Sequence, residues 1–126
     1  MFVAIDVETA SADISSICQI GIAEFGDDGV VSAWNSLVDP EDYFDAVNVS
    51  IHGIGESTVI GAPTFIDLSE KLAELMHNKV VVCHTAFDRL AIGRASERYG
   101  IPEPPCTWLD SARVARRIWP QFAQRG

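Results

Sequence analysis

A chain of 126 residues that is 48 % hydrophobic is long enough for one domain with a real core and too apolar for disorder. No apolar run is long enough to span a bilayer, and Phe2-Val3 opens the chain without the basic segment of a leader, so a cytoplasmic protein is expected. A net charge of −9 excludes binding of nucleic acid by bulk electrostatics. The charge is nonetheless uneven: residues 1–88 hold fifteen acids and two Lys (net −13), and residues 89–126 hold seven Arg and three acids (net +4).

Residues 2–8 read as a first strand, and their near-continuous apolar run predicts a central, buried position. A polar connection over 9–15 leads to a second strand over 17–25. The turn Gly26-Asp27-Asp28-Gly29 then makes a hairpin with a third strand over 30–38, ended by Pro40. Residues 41–45 are an acidic loop, and 47–58 read as irregular, punctuated by Gly53 and Gly55. Pro63-Thr64 opens a helix, with Thr64 and Asp67 as a capping box and Phe65, Leu68, Leu72, Leu75 and Met76 as its apolar stripe. A β-branched strand follows over 79–83, then a helix over 87–99 closed by Gly100 and Pro102. A short last strand is predicted over 106–109, and a final helix, capped by Asp110 or Ser111, stops at Pro120. This order predicts an α/β mixed sheet, with an antiparallel three-strand meander at one side, parallel strands at the other and flanking helices.

The three cysteines, Cys18, Cys83 and Cys106, are scattered without any CxxC spacing, so reduced core thiols are expected. Chemistry is concentrated elsewhere. Asp6 and Glu8 lie one residue apart on the first strand and therefore share a face. Paired carboxylates repel and are costly to bury, and a hard divalent cation resolves the conflict; a strand running out into a solvated acidic turn is the plainer alternative. Asp88 follows Val82-Cys83-His84-Thr85-Ala86-Phe87, in the first turn of a helix, where an acid also complements the helix dipole. If the fourth strand lies beside the first, Asp88 faces the pair.

AIDVET, IHGI and CHTAFD, in that order, resemble the DnaQ-like (DEDDh) 3′→5′ exonucleases, the family of the proofreading epsilon subunit of bacterial DNA polymerase III. Asp6 and Glu8 match the D-x-E of the first motif, and Asp88 after Phe87 matches the acid of the second. Trp108-Leu109-Asp110-Ser111, with Arg113 and Arg116, is similar to the strand-to-helix passage that follows. The resemblance spans essentially the whole chain. It implies an RNase H-like fold, an Mg²⁺ or Mn²⁺ pair held by Asp6, Glu8 and Asp88, and hydrolysis at the 3′ end of single-stranded DNA or RNA. It also implies that Thr9, Ile51, His52, Ile54 and Phe87 border the terminal nucleotide, and that a polymerase or another replication or repair protein is a partner.

Several residues keep a plainer reading beside the implied one. Thr9 is also an ordinary turn residue, His52 an ordinary loop residue, and Phe87 a packing residue that positions Asp88. Trp34, Trp108 and Trp119 read as core rather than as platforms for bases, and the Arg-rich segment as a solvated helix face. One departure matters: none of His52, His77 and His84 has an Asp five residues on, the spacing of the family's last motif. The expectation is thus a single exonuclease-like domain truncated before that motif, impaired in catalysis, with an exposed apolar patch that promotes self-association. The alternative is a non-catalytic RNase H-like remnant or binding scaffold. A phosphotransfer receiver is disfavoured by the meander. An Asp-nucleophile phosphatase is disfavoured by the D-x-E pair and by having only Lys71 and Lys79 as its cation.

Overall fold

The computed structural model describes residues 1–111. Five strands form one sheet in the order β3-β2-β1-β4-β5: β1 Phe2–Thr9, β2 Ile17–Gly26, β3 Gly29–Leu37, β4 Val80–Cys83 and β5 Thr107–Asp110. β1, β2 and β3 are the antiparallel meander, while β1–β4 and β4–β5 pair in parallel. The predicted mixed sheet, with the first strand at its centre, is therefore the fold. Gly29, at φ 112°, completes the two-residue turn of the hairpin in a conformation that favours glycine.

Among the described residues three α-helices accompany the sheet: α1 Ala46–His52, α2 Ser69–Met76 and α3 Ala86–Tyr99. Val3, Ile5 and Val7 of β1 point to one face and meet Leu72 and Met76 of α2 and Ala91, Ile92 and Ala95 of α3 in a single buried cluster. The alternate residues, Asp6 and Glu8 among them, lie on the opposite face. Trp34 and Trp108 pack against that core, and Cys18, Cys83 and Cys106 are free thiols. Among the described residues no helix is long and apolar enough to cross a membrane.

Two expectations are corrected. The segment read as irregular contains α1 and a single 3₁₀ turn over Glu56–Val59. Asp45 caps α1, its side chain accepting the Val47 N–H at 2.9 Å, and Gly53 ends it at φ 75°. Val47, Val49 and Ile51 are poor helix formers, and they hid a helix that its caps define. The second correction concerns α2, which begins at Ser69 and not at Thr64. The Thr64–Asp67 box is real, with backbone N–H to side-chain oxygen distances of 2.9 and 3.3 Å, but it closes a turn that precedes the helix. The predicted helix after β5, with Arg113, Arg116 and Trp119, falls outside the described residues.

Candidate active site

The site forms where β1 outruns β4. The β1–β4 ladder covers only Val3↔Val81 and Ala4↔Val82, so the C-terminal half of β1 has no strand on that side. α3 fills the gap. Thr85 caps the helix by accepting the Phe87 N–H at 3.3 Å, and this fixes the direction of the first turn. Asp88 then points inward, and its Oδ1 accepts the Val7 N–H at 3.0 Å. Val7 stands between Asp6 and Glu8, so one hydrogen bond brings the second acidic motif onto the first. Asp88 is 5 % exposed, Asp6 is exposed and Glu8 half-buried.

Electrostatics records the proximity. Burial pushes the Asp88 carboxyl up to about 6; the Val7 N–H opposes that rise, and the charges of Asp6 and Glu8 add to it. Among the described residues no Lys or Arg forms an ion pair with any of the three acids; the ion pairs are Lys71–Glu74, Lys79–Glu24 and Arg98–Asp42. Arg98 is a structural pin: besides Asp42 it donates to the Glu41 carbonyl at 2.9 Å and ties the acidic loop to α3.

The donor set suits a hard cation. All three side chains offer only oxygen, and their mutual repulsion has no cationic counterpart among the described residues. They are not drawn into a finished cage: among the described residues no group of three His, Cys, Asp or Glu is spaced to hold one ion as it stands. Asp88 is held by the Val7 N–H, so Asp6 and Glu8 are the side chains that would have to close on an ion.

The other candidate residues divide. Ile51 is 76 % exposed at the end of α1 and Phe87 39 % exposed on α3, so both present apolar surface. Phe87 does not pack inward to position Asp88. Successive helix residues turn by about 100°, so when Asp88 faces the sheet Phe87 points along another side of α3, where it is partly exposed. Ile54 is buried in a second cluster with Ala10, Cys18 and Val59. Thr9 is also buried, and its hydroxyl receives the Asn48 amide at 3.3 Å. His52 is tied to backbone: its Nε2 meets the Thr9 carbonyl at 2.8 Å, and its Nδ1 accepts the Ile54 N–H at 3.0 Å. Asn48 escaped the reading of the sequence. Its position four residues before His52 is a usable signal only once α1 is known to be a helix.

A central strand bearing two carboxylates, crossed by a helix whose first turn delivers a third, belongs to a sheet of RNase H-like fold. The chain belongs to the Exonuclease family (RNase T), whose profile matches residues 3–126, and the resemblance to DnaQ-like exonucleases stands with it. Among curated proteins it is similar to the PolC-type DNA polymerase III of Streptococcus thermophilus, 26 % identical over 128 residues. The PolC-type polymerase of Streptococcus pyogenes serotype M18 is 23 % identical over the same length. Each match covers 99 % of this chain but only 9 % of the polymerase. Among solved structures, exonuclease X in complex with 5′ overhanging duplex DNA matches at a TM-score of 0.73 and 25 % identity, over 95 % of this chain and 65 % of its own. A full-length 3′-exonuclease matches at a TM-score of 0.81 and 16 % identity, over 94 % of this chain and 46 % of its own, a likeness of fold.

Proposed function

We propose that this domain is a metal-dependent exonuclease that removes nucleotides from the 3′ end of single-stranded DNA or RNA. The observation that carries the reading is the Asp88 carboxylate docked on Val7 between Asp6 and Glu8. Asp6, Glu8 and Asp88 would hold Mg²⁺ or Mn²⁺, and bound ions supply Lewis-acid stabilisation of the phosphoryl and leaving oxygens. The chain's own contribution is placement. Val7 holds Asp88 still, burial keeps that carboxyl in a water-poor setting, and Ile51 and Phe87 offer apolar surfaces for a terminal base or sugar. The PolC-type relatives support a role beside a polymerase, and exonuclease X, solved with 5′ overhanging duplex DNA, supports a nucleic-acid substrate.

Within the 126 residues no His has an Asp five positions on, so the reading assigns no general base here. Such a base typically contributes about 10²–10⁴ in rate. The test is release of 3′-terminal nucleotides from a 5′-labelled single strand with Mn²⁺, by residues 1–126 and by a longer form carrying any downstream His-x₄-Asp. The longer form is expected to cut at least about 10²-fold faster, and Asp6→Ala or Asp88→Ala to abolish cutting. Binding of the strand without cleavage by the longer form would identify a non-catalytic RNase H-like module instead.

A further inference from the structure

We infer that Asn48 and His52 are positioning residues for this reaction, holding the Thr9 carbonyl and through it the end of β1 that carries Glu8; the inference rests on the nuclease reading above. The β1–β2 ladder runs in register from Phe2↔Phe25 to Glu8↔Gln19 and then slips, so that Thr9 pairs with Ile17. The extra residue, Cys18, lies on β2, and the bulge locally disrupts the β1–β2 ladder beside the acidic pair. Side chains of α1 take over where the ladder is interrupted. Asn48 donates from Nδ2 to the Thr9 carbonyl at 3.0 Å and His52 from Nε2 to the same oxygen at 2.8 Å, so two donors converge on one carbonyl. Asn48 Nδ2 also lies 3.1 Å from the Ser11 carbonyl, and the Asp45 N–H reaches the Ala10 carbonyl at 2.8 Å. Residues 48 and 52 are four apart and share one face of α1. The whole helix is thereby clamped to the segment that leaves Glu8.

The partners of His52 leave it one form. The Ile54 N–H can only donate and the Thr9 carbonyl can only accept, so the ring is neutral, bare at Nδ1 and protonated at Nε2. Both nitrogens face backbone, Nε2 with the Cys18 thiol also at 4.0 Å, and neither is left to read a base. His52 is therefore assigned to the support of the site and not to substrate contact, and Asn48 joins it.

The test compares wild type with Asn48→Ala, His52→Asn and His52→Gln in the complete protein, by three readouts. Ring ¹⁵N resonances of wild type at neutral pH should show the Nε2-protonated tautomer alone. Mn²⁺ affinity should fall about tenfold in Asn48→Ala and His52→Asn, as for other partners that orient ligands. On a single-stranded substrate these two variants should lose about 10²-fold in kcat with KM little changed, the signature of misplacement. His52→Gln, whose amide can reach the Thr9 carbonyl as Nε2 does, should recover most of both losses. Averaging tautomers, equal behaviour of Gln and Asn at position 52, or a raised KM with kcat intact would each overturn the assignment. If wild type binds Mn²⁺ but cuts no strand, the nuclease reading fails, while the tautomer and the Mn²⁺ series still decide whether the clamp exists and acts on the carboxylates.

Discussion

Replacing Asp88 by Asn removes a buried charge and keeps the oxygen that accepts the Val7 N–H. Asp88 is 5 % exposed, and its carboxyl is raised from 3.8 to about 6, first by burial and further by Asp6 and Glu8. The folded state therefore binds this proton more tightly than the unfolded chain. Its stabilising contribution is complete below pH 3.8 and is lost as the pH rises through about 6. The rise corresponds to a penalty of roughly 3 kcal/mol on the ionised folded protein at neutral pH. Asp88→Asn escapes that penalty, so the metal-free variant should be more stable than wild type by about 2–3 kcal/mol at pH ~8, equivalent to roughly 5–15 °C in Tm. The advantage should shrink towards pH ~4, where the wild-type carboxyl is already neutral in the fold. Urea denaturation in EDTA across this range measures it. A variant less stable than wild type at the upper end, or an advantage that does not change with pH, would show that the ionised Asp88 carboxylate does not destabilise the fold.

Other outcomes follow from the same structure. Activity should require Mg²⁺ or Mn²⁺ and vanish in excess EDTA, since oxygen-only donors select hard cations; undiminished cutting with chelator present would refute this. Arg98→Ala should cost about 1 kcal/mol in urea unfolding by freeing the acidic loop from α3, with little change in Mn²⁺ affinity. Gly53→Ala should cost about 1 kcal/mol through backbone strain alone, because φ is 75° there and a Cβ would meet nothing within 4 Å. Thr85→Ala should cost about 1 kcal/mol by uncapping α3, and should also lower Mn²⁺ affinity because that turn aims Asp88.

The sheet was legible because its signals are local and agree. The near-continuous apolar run at 2–8, the Gly-Asp-Asp-Gly turn and the β-branched run at 79–83 each name one element, and their order disfavours a doubly wound parallel sheet. The approach of Asp88 to Asp6 and Glu8 was legible because strand periodicity puts that pair on one face and a helix start follows the strand that lies beside the first. α1 was not, because β-branched residues masked a helix whose evidence lies in its caps, Asp45 and Gly53. With α1 unread, the joint role of Asn48 and His52 could not be seen, since four-residue spacing has meaning only on a helix. The outward turn of Phe87 was missed for a similar reason. A hydrophobic residue beside a functional acid reads as packing until helix geometry assigns the inward direction to Asp88.

Together, Asp6, Glu8 and Asp88 form the proposed hard-cation site. Calorimetric titration of Mn²⁺ at pH ~8, in the presence of a nucleoside 5′-monophosphate, tests it for wild type against Asp6→Asn, Glu8→Gln and Asp88→Asn. Each substitution removes one ionised oxygen ligand, and each should weaken binding at least about tenfold while the domain stays folded. Wild-type affinity in all three variants, or no Mn²⁺ binding by wild type, would contradict the assignment of these carboxylates to a metal site.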